Sequence, residues 1–371
     1  MYIYLTVLTI SATAGLQAWR MLFDNFAVHE AGLGGKHIGV IQSVREVPGF
    51  LALLAIYIIM IIKEHRLSAI SILILGLGVA VTGFFPSWTG LIITTLLMSF
   101  GFHYFETTNM SLTLQYFDKD TSPWVFGKLR SLGAASNIGV GVVFFIISPY
   151  LGFLEIYLLF GGLIFAAGVW AFFQNPSNQH IVPQRKKMIL RKKYSLFYFL
   201  TFMAGARRQI FIAFAVFLLV KKFGYTVQEI AILFVVNNGI NYFLSPYIGR
   251  AIIRFGERAV LSLEYSSLII IFLAYAWVDS KIIVGILYIL DHIFFNFAIA
   301  IRTFFQKIGD PADIAPSMAV GFTINHIAAV MLPAAGGLLW MLDYRVPFVF
   351  GALLSLISLL AVQKIRIPLS P

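Results

Sequence analysis

The sequence predicts an all-α integral membrane protein: twelve transmembrane helices in two six-helix, pseudo-symmetric halves. Three observations point there. Of 371 residues, 60% are hydrophobic and only 12% charged, about half the charged share of an average soluble domain. Apolar runs of about 20 residues recur along the whole length, leaving no room for a soluble domain. One long polar stretch, carrying Arg185, Lys186, Lys187, Arg191, Lys192 and Lys193, separates two sets of these runs.

Splitting the runs at charges, Pro/Gly turns and polar clusters places spans at about 2–28, 37–62, 67–86, 89–115, 126–148 and 152–173 in the first half. In the second half they fall at about 195–220, 228–249, 259–278, 282–305, 315–339 and 346–363. The expected domains are an N-terminal bundle, 1–173, a basic linker, 174–194, and a C-terminal bundle, 195–371. The first run begins at Tyr2 without a basic leader, so it is expected to remain as a helix.

Lys and Arg sit mainly in short loops, and placing the linker inside puts about 18 of them inside and about 5 outside. Both termini are then cytoplasmic, and the compact chain suggests the inner (plasma) membrane of a prokaryote. The net charge of +11 follows from this topology, so a nucleic-acid partner is not expected. With no cysteine, disulfides, thiolate metal sites and cysteine nucleophiles are excluded.

A weak repeat links the halves. Shifting by 192 lays Lys36-His37-Ile38-Gly39 on Gln228-Glu229-Ile230-Ala231 and Arg66 on Arg258, and shifting by 188 lays Gly133 and Asn137 on Gly321 and Asn325. Gly249-Arg250-Ala251-Ile252-Ile253-Arg254-Phe255-Gly256-Glu257-Arg258 resembles the loop signature of the major facilitator superfamily. It matches at Gly249, Arg254, Gly256 and Arg258, and departs at Ile253, where the family usually has Asp, and at Glu257, where it usually has Arg. The first-half loop is reduced to Lys63-Glu64-His65-Arg66, and Pro333-Ala334-Ala335-Gly336-Gly337 is similar to the family's Gly-Pro-x-x-Gly-Gly pattern. The resemblance implies a gating role for the four matching loop residues. It also implies a central cavity lined by the first, fourth, seventh and tenth spans, with the third, sixth, ninth and twelfth facing lipid.

Polar residues follow that division. The first span carries Trp19, Arg20 and Asp24, the fourth His103 and Glu106, the seventh Arg207, Arg208 and Gln209, and the tenth Asp291, His292 and Asn296. Arg45 and Glu46 in the second span are adjacent and leave the helix about 100° apart, so at least one is expected to pair with another helix. His103 and Glu106 share a face and suit a hydrogen-bonded, coupled pair. With His326 or Asp291 they could also hold a metal, but no complete ligand set emerges, so neither metal nor cofactor is expected.

Two adjacent arginines in a span cost roughly 2.5–3.5 kcal/mol each on insertion scales. Compensation comes from carboxylates, from water or from an anion. One of Arg207 and Arg208 is expected to reach the anion and the other to hold a carboxylate. The expected function is secondary transport of a small organic anion by alternating access. Arg207, Arg208, Arg20, Trp19, Gln209, His292, Asn296 and His326 are the candidate binding residues. Asp24, Arg45, Glu46, His103, Glu106 and Asp291 are candidates for charge pairing or proton coupling. The partners are the anion, protons and the bilayer, with the protein a monomer. The alternatives are efflux of amphipathic drugs and a transport-inactive sensor or scaffold. No nucleophile–base set or nucleotide-binding loop suggests an enzyme.

Overall fold

The computed structural model describes the whole chain except residues 34, 60, 177–180, 186, 226 and 367–371. The side chains of 35, 36, 38, 39, 213, 227, 228, 231, 328–338 and 341 are likewise outside the description. The side chains of the Pro333–Gly337 motif, most of those in the repeat pair around Lys36 and Gln228, and Lys186 therefore lie outside the described residues.

The protein is all-helical, and among the described residues its helices group into twelve spans. The first six are Tyr2–His29, then Gly35–Phe50 continued by a 3-10 turn at Leu51–Leu54 and by Ala55–Ile59, then Glu64–Thr82, Trp88–Tyr116, Ser122–Ile147 and Phe153–Phe173. The seventh runs from Ser195 to Lys221 and contains a π-helical turn, Phe211–Ala215. The eighth and ninth form one run, Val227–Trp277, broken at Gly256 with φ 77°. The tenth is Lys281–Ile308 with a 3-10 turn at Asn296–Ala298, the eleventh Ile314–Leu342, and the twelfth Arg345–Val362. Eight helical runs among the described residues are long and apolar enough to cross a membrane, and the run from Ile232 to Trp277 holds two spans. The internal repeat reaches the backbone. Gly32, after the first span, has φ 64°, and Gly224, 192 residues later and after the seventh, has φ 63°, a left-handed conformation that glycine adopts without steric cost.

The chain packs into two compact units. The first comprises Met1–Tyr116, Leu132–Ile189 and Pro311–Thr323. Its third, fourth and sixth spans meet almost backbone to backbone: a Cβ on Gly161 would lie 2.3 Å from the Ala80 nitrogen, one on Gly101 2.4 Å from the Leu75 nitrogen, and one on Gly78 2.5 Å from the Met98 nitrogen. Small residues let helices approach closely where lipid offers no hydrophobic drive between them. In the second span, Pro48 lacks an N–H and the helix tightens to 3-10 just beyond it. Thr323 bonds the two backbone groups beside that break, accepting from Leu53 N and donating to Phe50 O, both at 3.0 Å. The linker as far as Ile189 also belongs to this unit. Arg185 N donates to Ala312 O at 2.8 Å, and the Arg185 side chain pairs with buried Asp313. Gln184 Oε1 accepts from Ala315 N at 2.8 Å, satisfying a donor at the start of the eleventh span.

The second unit comprises Phe117–Ser131, Leu190–Asp310 and Ile324–Pro371. Here the start of the fifth span lies along the eighth. A Cβ on Gly127 would sit 2.3 Å from Ser245 O, and one on Gly249 2.4 Å from Pro123 O. Ser131 Oγ donates to Tyr242 O, while Gln306 of the tenth span donates to Phe117 O at 2.8 Å. At the other end of this unit, Lys222 Nζ lies 2.7 Å from Asp279 and 2.6 Å from the Tyr344 hydroxyl. The Lys222 bond holds the Asp279 carboxyl below its ordinary range.

The third, sixth, ninth and twelfth spans each expose apolar side chains, as Leu77, Leu163, Ile270 and Leu360 show. Their opposite faces are not all apolar: the ninth buries Glu264, Tyr265 and Tyr275, and the twelfth Ser355 and Ser358. The glycine contacts give a sharp test. Gly161→Ala should lower thermal stability in detergent by about 1–3 kcal/mol, the usual cost of overpacking. Gly162→Ala, whose Cβ would meet nothing within 4 Å, should leave the melting temperature unchanged.

Candidate functional site

The two seventh-span arginines are separated by the geometry of the helix, which turns about 100° per residue. Arg207 is completely buried. Its guanidinium donates to Ser358 Oγ of the twelfth span, lies over the Tyr265 ring at 4.3 Å and approaches Glu264 Oε1 to 3.7 Å. At that separation Arg207 and Glu264 form an ion contact without a hydrogen bond. Both Glu264 oxygens and Arg207 Nε are without hydrogen-bond partners among the described residues. Arg208, by contrast, is exposed. Among the described residues it makes no hydrogen bond or ion pair.

Arg208 and Arg130, from the start of the fifth span, are the cations that act on the ring of His292 in the tenth. His292 belongs to a polar triad. Its Nε2 lies 2.8 Å from Asn241 Nδ2 of the eighth span, while Asn296 Nδ2 donates to Asn241 Oδ1 and, at 3.1 Å, to His292 O. Since Asn241 Oδ1 accepts from Asn296, its amide nitrogen donates to His292, leaving the imidazole proton on Nδ1. Phe211 packs beside the ring at 6.3 Å and continues to Tyr288 at 5.2 Å and Phe295 at 5.4 Å. Gln209 is half-buried. Asp291 is fully buried. Neither Asp291 oxygen has a hydrogen-bond partner among the described residues.

In the first unit the polar residues converge on the second span. Arg45 and Glu46 pair with each other, Nη2 to Oε1 at 2.7 Å and Nε at 3.2 Å. The 100° step fixes where two neighbouring side chains leave the helix, but both are long enough to curl together. Glu46 Oε2 lies 3.9 Å from His103 Nε2, whose Nδ1 faces Ser99 Oγ at 3.0 Å and Ser99 O at 2.9 Å. This pair supplies two of the three or more donors a metal needs. Trp19 is buried, stacked on Phe23 at 4.3 Å, with the Arg45 guanidinium 5.8 Å from its ring. Arg20 and Asp24 are exposed, and Arg45 is the cation acting on Asp24. Glu106 is half-buried in the first unit, and His326 is buried in the second.

The loop signature forms a turn around Gly256, with Gly249 against the fifth span as described. Arg258 bonds Gln363 Oε1 at 3.1 and 3.0 Å, and Arg254 lies over Phe255 at 5.2 Å. Glu257, the departure from the signature, is fully buried and paired with Lys307 at 2.8 Å. The first unit has a counterpart: Gln115, 192 residues before Lys307, donates to buried Glu64 at 2.7 Å.

Over residues 3–313 the sequence matches the model of the Major Facilitator Superfamily. The chain belongs to that superfamily. Major facilitator proteins are transporters and not enzymes, and this one is an integral, multi-pass membrane protein. Its fold is similar to the human organic anion transporter MFSD10 (TETRAN), at 12% identity, 98% coverage of both chains and a TM-score of 0.78. It is also similar to a bacterial homologue of the iron transporter ferroportin in its outward-facing state, at 13% identity, 98% coverage of both chains and a TM-score of 0.81. The outward conformation of the major facilitator transporter FucP is a third, at 12% identity, 98% coverage of both chains and a TM-score of 0.77. None of the curated proteins matches the sequence.

Sequence reasoning overlooked Glu264, Arg130 and the Lys307–Glu257 pair. Glu264 carried a usable signal, because a lone carboxylate in an apolar run needs a partner. Arg130 did not, since a basic residue near the start of a span reads as a loop charge. Lys307→Met should strand the buried Glu257 carboxylate and lower stability by roughly 3–5 kcal/mol. Adding Glu257→Met should recover most of that loss in the same thermal-unfolding assay.

Proposed function

We propose that this major facilitator protein carries a small organic anion by alternating access, coupled to protons. One observation carries the reading: Arg208 is an exposed cation inside a transmembrane helix, within electrostatic range, as Arg130 is, of His292 in the His292–Asn241–Asn296 triad. A cation facing hydrocarbon is expensive, so such a group is normally found at a polar cavity or on a ligand path. Arg suits a carboxylate, phosphate or sulfonate because its planar fork binds two oxygens at once. The triad adds amide and imidazole donors, and Phe211, Tyr288 and Phe295 give the anion's organic part an apolar wall. Arg207, already engaged by Glu264 and Ser358, supports the binding site from behind without touching the ligand. Asp291, buried beside His292, and the Glu46–His103 pair are the proposed proton carriers. Among the fold neighbours, one is an organic anion transporter and another a homologue of an iron transporter, so the choice of substrate rests on these residues.

Purified protein should be stabilised against heat by small organic anions and not by organic cations. Arg208→Ala should weaken that binding by about tenfold or more, the loss of a charge-assisted contact of about 1.5–3 kcal/mol. Stabilisation by amphipathic cations alone would overturn the anion reading in favour of drug efflux. In proteoliposomes, anion flux should follow an imposed pH gradient and lose that dependence in Asp291→Asn; flux indifferent to the gradient would remove the proton role.

A further inference from the structure

Arg207 and Glu264 are more than a neutralised pair, because of where they act on the seventh span. Arg207 points into the gap between the seventh, ninth and twelfth spans, fixed by Glu264, Tyr265 and Ser358. Two residues earlier, and about 200° around the helix, Gly205 packs so tightly on the eleventh span that a Cβ would lie 2.4 Å from Asn325 O. Asn325 Nδ2 donates to Thr201 O at 3.2 Å on that same side. The helix is thus gripped on two nearly opposite faces within one turn. Beyond Ile210 the backbone changes to a π-helical turn, which separates the rotation of this gripped turn from the rest of the span. π turns interrupt helices frequently at functional sites.

From this arrangement we infer that Glu264 is a positioning residue: by holding Arg207 between the ninth and twelfth spans, it sets the rotation of the seventh helix that presents Arg208. Glu264 has no contact with the ligand in this scheme. It acts through Arg207, and the 100° between neighbouring residues turns a fixed Arg207 into a fixed Arg208. The inference assigns Arg208 its direction independently of what binds there, although its importance for transport rests on the anion reading.

The chain lacks cysteine, so helix rotation can be read directly by thiol labelling. Arg208→Cys and, separately, Ala206→Cys are treated with a membrane-impermeant maleimide, each with Glu264 intact and with Glu264→Gln. Arg208→Cys should label readily and buried Ala206→Cys poorly while Glu264 is intact. Glu264→Gln should cut labelling at 208 and raise it at 206. Glu264→Asp, and the charge exchange Arg207→Glu with Glu264→Arg, should restore the parent pattern. Size-exclusion chromatography restricts the comparison to folded protein, and the charge exchange keeps the test open where Glu264→Gln alone fails to fold. Unchanged labelling in folded Glu264→Gln, or a charge exchange that folds without restoring the pattern, would overturn the inference. A protein whose labelling shifts as expected while no anion stabilises it would retain the positioning role and lose the anion reading.

Discussion

An ionic side chain inside a helix bundle must be compensated within reach of its own stem, and the whole polar architecture of this protein answers that constraint. Desolvating a charge costs several kcal/mol per ion even after relaxation, far more than a single packing contact returns. Arg207 meets Glu264, Glu257 meets Lys307, Arg45 meets Glu46 and Asp313 meets Arg185. All but the Arg45–Glu46 pair join elements that apolar packing alone would leave free to slide or rotate. Their value is therefore geometric as much as energetic: Arg–carboxylate contacts fix rotation, which lipid-facing leucines cannot do.

The two units meet this constraint on different frameworks. In the first, glycines bring the third, fourth and sixth spans almost into backbone contact, so dispersion over a close interface holds the bundle. In the second, close glycine contacts occur where the fifth and eighth spans meet and where the seventh meets the eleventh. The seventh, ninth and twelfth spans are joined instead by a buried charged cluster. Arg208 stays exposed beside this cluster, and its exposure stands out because its neighbour on the same helix is completely buried.

Much of this architecture was legible in the sequence, because span length, loop charge and the 192-residue repeat are each imposed by the bilayer or by duplication. Gly32 and Gly224 show how far that legibility extends, down to matching backbone angles. What stayed hidden was pairing. Arg45 and Glu46 leave their helix in different directions, so helix geometry argued against the contact they make. Side-chain length permitted it. That Arg207 is the arginine near a carboxylate depends on Glu264, a residue in a span expected to face lipid. A one-dimensional pattern records that a span is amphipathic or apolar. It does not record which of two adjacent residues faces a partner two spans away in sequence.

The carboxylates Glu64 and Glu257 carry the comparison of the halves one step further. Each opens a helix, where negative charge is favoured by the helix dipole, and each is held by residue 115 or 307, positions 192 apart at the end of the following span. The carboxylates themselves are 193 apart, so they occupy neighbouring positions within a 192-residue register that still pairs Arg66 with Arg258. Gly256, at φ 77°, makes the turn from which Glu257 enters its helix. The partners have diverged as well: an amide in the first half, an ammonium in the second. An ion pair resists separation more strongly than a neutral-donor bond in a low-dielectric setting, so the duplicated clamp is stiffer in the second half. That is the half in which we infer that the seventh helix is held in one rotation to present Arg208.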